Sequence, residues 1–567
     1  MIKVKDLFSV NKSKISVIFL FLLLTLSFGV TFKLKVAINF DSFIGAHSFQ
    51  SGSTLKFVNN WLVESPQKLH FLNFELPDSI EFNGLSEREP YISYPSGCTF
   101  FVYIFAKMFD RQMIDISFLK HFQLDCFWIE TLLFAIFVYR FLKNIGIKSE
   151  IEKIIAVFLT AIFWVWLPIN VWYLANVYFA DQCIILFVMA FLYVEYEFYC
   201  CKNTRARFIL NLIKAFLIFA GVLIDYYFWI FTFVAFVLQV VRSIKNKTTP
   251  MMIIKNSLCY VIPFVFAIGV FIYQLSFIPN WQTVLGERFL FRVGAANSEY
   301  DTIGYIVKQL YIFFIDGFGL KVNMKLFSLL LLILCLHSGN EKSSKSFYTV
   351  IKESVFTNSG FIVLLGILSP IIQIIFLKNH SALHEFSEVK LSWIVAMIPV
   401  IVSVIYYKTH EDKGSKLLFG IISVTSFLKF FLISFLCVVF ITGVPFSSRE
   451  YKDYHELVIY NYDYHLAKIL RDNTSYEHVC FSSSCFIPTN PPQELAVSRK
   501  RVYKINDRTE LNTMFPNLNS QAVKIFVIDK DAVSELTDEQ IAVQNELRST
   551  NKVFFEDERF CLLELTD

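Results

Sequence analysis

Along this chain, apolar runs long enough to cross a bilayer alternate with short polar connections. An apolar stretch opens at Ile15 and continues to about Val30; later runs fall near His121–Leu142, Lys153–Pro168, Val177–Phe198 and Ile253–Phe277. Others lie near Lys325–Leu336, Gly360–Leu377, Leu391–Tyr407 and Leu417–Ile441. The stretch Phe208–Val241 is too long for one helix and carries Asp225 mid-way, which predicts two helices joined by a tight turn at IDYY. A helix crosses the hydrocarbon core with about 20 apolar residues, so the pattern predicts about eleven spans. Cys98–Phe109 is only about a dozen residues long and is expected to lie in the interface instead.

Two segments break the alternation. The first runs from Asn39 to Gly97, opens with NFDSFIGAH and closes with SEREPYISYPSG. A connection of about sixty residues is functional or disordered as a rule, and its aromatic residues, among them Phe43, Phe49, Phe57, Trp61, Tyr91 and Tyr94, predict a folded loop. The second begins after about Gly443, where HVCFSS, KIFVIDK and FFEDERFCLLEL look like strands and YHLAKILRD and TDEQIAVQNELRS like helices. The expected fold class is thus an α-helical polytopic membrane protein with a small C-terminal α/β domain. Its two parts are residues 1–444, with a large first external loop at about 33–120, and residues 445–567.

Composition changes this picture little. Of 567 residues, 55% are hydrophobic and 18% charged, well below the quarter usual for soluble domains, and the mean hydropathy is +0.51. Net charge of +4 gives no reason to expect a nucleic-acid partner. The placement of the basic residues says more. Lys3, Lys5, Lys12 and Lys14 precede the first span, and later clusters at Arg140–Lys153, Lys202–Arg207, Arg242–Lys247, Lys342–Lys352 and Lys408–Lys416 occupy every second connection. By the positive-inside rule the N-terminus is cytoplasmic and the C-terminal segment external. The eleven cysteines show no metal-ligand spacing; Cys480 and Cys485 lie outside if that orientation holds, so a local disulfide, free thiols and a pairing with Cys561 all stay open.

The external connections gather the candidate chemistry. Asp41 follows the first span and Asp181 starts the fourth, both on the outer side; an ionisable group at membrane depth is a functional candidate, with pairing inside the bundle as the plain alternative. In SEREPYISYPSG, Arg88 and Glu89 are either part of a site or a local ion pair, while Pro90 and Pro95 stiffen the peptide that presents Tyr91 and Tyr94. In KNHSALHEFSEVK, His380 and His384 stand one helical turn apart with Lys378 and Lys390 adding charge, a pattern suited to an anionic head group. The same spacing suits zinc, but no third ligand is marked and the acid of HExxH is missing. Arg288 and Arg292, in GERFLFRVGAA, are also four apart, which suits phosphate or a snorkelling interfacial helix.

A first helix, a long external loop with an acid at its start, and then PYISYPSG together resemble the polyprenyl-phosphate-sugar glycosyltransferases of the GT-C superfamily, which include protein O-mannosyltransferases and aminoarabinose transferases. YPSG at Tyr94–Gly97 resembles the YPPG stretch of that group with Ser96 in place of a proline; NVYFAD at Asn176–Asp181 resembles its second acidic external turn. The resemblance covers roughly Met1–Val444 and does not reach the tail. It implies transfer of a sugar from a polyprenyl-phosphate-linked donor to a glycan, lipid or protein acceptor on the outer side, in a bacterial inner membrane. Such a transfer needs a base, cations for the departing phosphate and an apolar groove for the lipid. Asp41 is the expected general base and Asp181 a second catalytic carboxylate. Arg288, Arg292, His380, His384 and Lys390 are the expected phosphate ligands, with Arg88, Glu89, Tyr91 and Tyr94 lining the acceptor side. Some relatives use a divalent metal and others do not, and no metal constellation is visible. The rival from another class is a lipid-linked glycan flippase or a polymerase-like envelope assembly protein, which would call for broken helices and ionisable groups near the midplane.

Overall fold

A computed structural model describes residues 4–32, 47–296, 300–318, 357–409, 426–439, 464–483, 492–515, 517–518 and 520–566. Helix α1 (Val4–Val30) is followed by α2 (Ser48–Glu64), α3 (Gly97–Met108), α4 (Ile116–Ile145) and α5 (Glu150–Trp166). Next come α6 (Ala180–Cys200), α7 (Thr204–Val222), α8 (Tyr226–Lys245), α9 (Pro250–Leu275), α10 (Trp281–Arg292) and α11 (Thr302–Tyr311). After residue 357 the chain forms α12 (Asn358–Phe376), the short α13 (Lys378–Leu383), a 3-10 segment over Glu385–Leu391, α14 (Ser392–Thr409) and α15 (Ser426–Val439). Among the described residues, six helical stretches are long and apolar enough to span a bilayer: Ile116–Ile145, Ala180–Cys200, Tyr226–Lys245, Pro250–Leu275, Asn358–Phe376 and Phe386–Tyr407. The run at Lys325–Leu336 lies outside the described residues, and the one at Leu417–Ile441 is described only over Ser426–Val439.

Local chemistry sets the boundaries. Helix α5 stops at Leu167, whose ψ of 130° is the extended value imposed on a residue that precedes proline, here Pro168. Gly146 ends α4 with φ 105°, a left-handed cap that a side chain would strain. The turn expected inside Phe208–Val241 is present. Helix α7 ends at Val222 and Asp225 caps α8, accepting a hydrogen bond from the Tyr227 amide at 2.9 Å.

Among the described residues, the basic connections that follow α4, α6 and α8 share one end of the bundle. There Arg140 pairs with Glu197, Lys153 with Glu150 at 2.7 Å, and Arg242 donates to Asn358 at 3.0 Å and to the Tyr199 carbonyl. The long first loop, the α7–α8 turn, α10 and the segment 378–390 meet at the opposite end.

The described part of the first loop opens with a helix and continues as turns and a short hairpin. Helix α2 buries nearly its whole surface, and β1 (Asn73–Phe74) pairs antiparallel with β2 (Pro90–Tyr91). Beyond residue 464 the chain forms a mixed five-stranded sheet in the order β4-β3-β5-β7-β6, from β3 (His478–Ser482), β4 (Val502–Lys504), β5 (Val523–Asp529), β6 (Lys552–Glu556) and β7 (Phe560–Leu565). Residues alternate between its faces: Cys480, Ile525, Val527 and Leu562 pack under α16 (Tyr464–Asn473), while Val479, Phe481, Phe526 and Leu563 pack on the other side. That second face also receives α19 (Asp538–Thr550), through Leu547, and Ile80 of the first loop. Two short helices, α17 (Pro492–Ser498) and α18 (Arg508–Thr513), complete this part. Cys480 and Cys561 are free, buried and on opposite faces of the sheet, which removes their pairing; Cys485 lies outside the described residues.

The sheet is fastened to the first loop. Helix α17 lies against α2 so closely that a Cβ on Gly52 would meet the backbone nitrogen of Gln493 at 2.9 Å. Arg499 donates to the Asn59 carbonyl and to Glu64, and the Ile80 amide donates to the Tyr476 carbonyl at 3.2 Å.

Candidate functional site

The site is built where β2 runs on towards α3. Pairing of Asn73 with Tyr91 fixes the start of this peptide, and Gly97 fixes its end: its amide donates to the Leu223 carbonyl at 2.8 Å, and a Cβ there would stand 2.4 Å from that same oxygen. Only glycine lets the peptide lie this close to the α7–α8 turn. Ser96 donates to the Phe71 carbonyl at 2.6 Å, a bond that a proline in its place could not make. Between these anchors Tyr94 points inwards, 7% exposed.

Tyr94 meets two acids, a lysine and a histidine. Its hydroxyl donates to Asp181 Oδ2 at 3.0 Å and lies 3.2 Å from His380 Nε2. Asp181 stands in the first turn of α6, where the helix dipole favours a carboxylate. Its other oxygen takes Lys390 Nζ at 2.6 Å, and Lys390 also reaches Asp225 Oδ2 at 3.1 Å. All three charged side chains are buried. One cation between two carboxylates leaves the trio with one net negative charge, which Arg292 offsets: its guanidinium lies over the Tyr94 ring at 4.5 Å and near that of Tyr226 at 5.4 Å.

Arg292 and Arg288 lie on one face of α10, as their spacing predicts. Arg288 donates to Ser93 Oγ at 2.6 Å, and Asn379 ties α13 to the last turn of α10 through the Phe291 carbonyl at 3.0 Å. Both arginines line a cavity of about 420 Å³ whose other walls include Tyr226, Trp229, Trp281, Leu285, Phe289 and Phe376. Guanidinium groups thus meet an apolar groove directly beside the buried trio.

The histidine pair is brought together, with the ring centroids of His380 and His384 4.7 Å apart. A third ring joins them, His47, 5.7 Å from His384, and Phe386 packs on all three. Burial, and after it the charges of Arg292, His384 and Lys390, hold the His380 pKa well below its usual value, so this ring is neutral at neutral pH. Burial and the neighbouring Asp181 push the Tyr94 hydroxyl the opposite way, keeping it protonated. Among the described residues no group of three or more His, Cys, Asp and Glu is arranged to hold a metal ion.

Several of the expected residues are engaged with partners inside the protein. Lys390 is engaged by two carboxylates and does not stand as an open phosphate ligand, and neutral His380 brings hydrogen bonding where charge was expected. Asp181 has both oxygens engaged, one by Lys390 and the other by Tyr94. Arg88 and Glu89 do not pair with each other: Arg88 grips Glu64 at 2.7 Å and the Leu76 carbonyl, and Glu89 meets Arg501 at 2.8 Å. Tyr91 is packed between Phe57 and Phe179. Asp41 lies outside the described residues. Asp225 and His47 were not in the expected set, yet both had a signal: an acid inside an apolar run, and a histidine closing NFDSFIGAH.

No family model and no curated protein matches this chain. The solved structures that resemble it in fold include the following two. ArnT from Cupriavidus metallidurans bound to undecaprenyl phosphate is 10% identical, with a TM-score of 0.52 over 96% of this chain and 97% of that one. The Archaeoglobus fulgidus oligosaccharyltransferase, tethered to an acceptor peptide, is 11% identical, with a TM-score of 0.50 over 93% of this chain and 70% of its own. At such identities the likeness is one of fold alone.

Proposed function

We propose that this protein is a membrane glycosyltransferase that moves a sugar from a polyprenyl-phosphate-linked donor to an acceptor, on the outer side of a bacterial inner membrane. The observation that carries it is the aromatic groove of about 420 Å³ with Arg288 and Arg292 in its wall, opening beside Tyr94, Asp181, Asp225 and Lys390. The undecaprenyl phosphate in the ArnT structure is a ligand of the same chemistry: an apolar chain that ends in an anion. In this scheme the lipid lies along Trp229, Trp281 and Phe376, and the two guanidinium groups hold the phosphate as it departs with the electron pair of the broken sugar–oxygen bond.

The acceptor hydroxyl attacks the anomeric carbon from the opposite face, with inversion, and gives its proton to a carboxylate. The two acids of the buried trio, Asp181 and Asp225, are both committed to Lys390. Asp41 therefore keeps the role of base in this scheme. Asp41→Asn should lower turnover by about a hundred- to ten-thousand-fold while polyprenyl-phosphate binding stays near normal. Arg292→Ala should instead weaken that binding, measured by titrating the purified protein with undecaprenyl phosphate. Unchanged binding in Arg292→Ala, or near-normal turnover in Asp41→Asn, would overturn the corresponding assignment.

A further inference from the structure

A second cleft, of about 540 Å³, lies away from the groove, between the first loop and the sheet. Its charged lining is lopsided: five cations, Lys68, Arg88, Arg471, Arg499 and Lys500, face two carboxylates, Glu64 and Asp78. Glu64 is shared by Arg88 at 2.7 Å and Arg499 at 3.0 Å, so one negative charge serves two guanidinium groups. Lys500 is 6% exposed and donates to the His478 carbonyl at 2.7 Å and to Ser79 at 3.1 Å, and among the described residues no carboxylate lies within ion-pair distance of it. Arg471, at the rim, pairs with Asp472 at 2.8 Å. Three of these cations, Arg88, Arg499 and Lys500, are largely out of water, and holding that charge there is costly unless an anion shares it. The wall also offers Tyr476, 47% exposed, a ring with an apolar face and a polar tip suited to stacking on a sugar.

The cleft is tied to the transfer site by a short peptide. Arg88 lines the one and Tyr94 stands in the other, and six residues of extended chain reach about 20 Å at most. An oligosaccharide could have its reacting end at Tyr94 and its distal sugars between the loop and the sheet. We propose that this cleft is an acceptor subsite that holds an anionic sugar, phosphorylated or carboxylated, of the acceptor glycan. The assignment of the ligand as an acceptor rests on the transferase function proposed above; binding of an acidic saccharide does not.

The test uses the purified full chain in detergent, titrated with trigalacturonic acid, with a phosphorylated trisaccharide and with neutral maltotriose, and separately with undecaprenyl phosphate. At least one acidic probe should bind, more weakly as salt rises, with maltotriose at least about tenfold weaker. Lys68→Glu, at an exposed rim position, and Tyr476→Ala should each weaken the acidic probe about tenfold and leave undecaprenyl phosphate binding unchanged. Which of the two acidic probes binds identifies the anion. Equal binding of acidic and neutral saccharides, no binding of either acidic probe, or indifference to Lys68→Glu would overturn the proposal and leave the cleft as a seam between loop and sheet. If acidic saccharide binds but undecaprenyl phosphate does not, the cleft stands and the transferase function falls.

Discussion

At the scale of single residues, the site depends on one lysine between two acids. Lys390→Met would leave Asp181 and Asp225 buried and uncompensated, at a cost of about 3–5 kcal/mol. Converting both acids to Asn in the same chain should return much of that loss; thermal unfolding of the single and triple variants measures the difference. His380 gives a pH dependence of definite sign. Its folded pKa is depressed, so below about pH 6.5 the unfolded chain takes up a proton that the folded one does not. Stability is therefore full above that pH and falls as pH drops, by about 1.4 kcal/mol per pH unit at most. His380→Gln should flatten a series of melting temperatures between pH 7.5 and 5.5; an unchanged slope would mean that other groups carry it. The sequence marked Asp181, His380, Arg292 and Lys390 as chemistry-bearing, because polar side chains next to apolar runs are conspicuous. It did not give the role of Lys390, since its partner Asp181 lies 209 residues away and no local pattern encodes such a pairing.

At the scale of elements, what was legible followed turn and cap chemistry. The split of Phe208–Val241 at Asp225 and the end of α5 before Pro168 were readable because each rests on neighbouring residues. Helix α2 was not: its run SFQSGSTLKFVNNWLVE has no clean apolar stripe, and it is helical because it is enclosed on nearly every side. Helix–helix contact supplies the clearest test at this scale. A Cβ on Gly366 of α12 would fall 1.8 Å from the Trp393 ring, whereas one on Gly269 of α9 meets nothing within 4 Å. Gly366→Ala should therefore cost about 1–3 kcal/mol by overpacking, while Gly269→Ala is neutral or gains from helix propensity. Similar melting temperatures for the two would mean that the α12–α14 contact is looser than described.

At the scale of the whole molecule, the ends of the bundle differ among the described residues: the basic connections after α4, α6 and α8 gather at one, and the loop, the groove and the sheet at the other. The orientation inferred from charge then predicts that cysteines placed at the exposed positions Asn83, Glu87, Ser534 and Glu539 react with an impermeant reagent from outside, and that cysteines at the exposed positions Lys202 and Arg205 do not. Labelling at Lys202–Arg207 would invert the topology and move the site to the other face. The seam between α2 and α17 carries a consequence in time. Gln493 reaches back 445 residues to Ser48, so the partner of α2 is made long after α2 itself. At about 5–20 residues per second, the docking face of α2 waits about 20 to 90 s for its cover. That face includes Ser48, Gly52 and Asn59, small or polar residues that can stand in water until α17 arrives, with Leu55 as its apolar member.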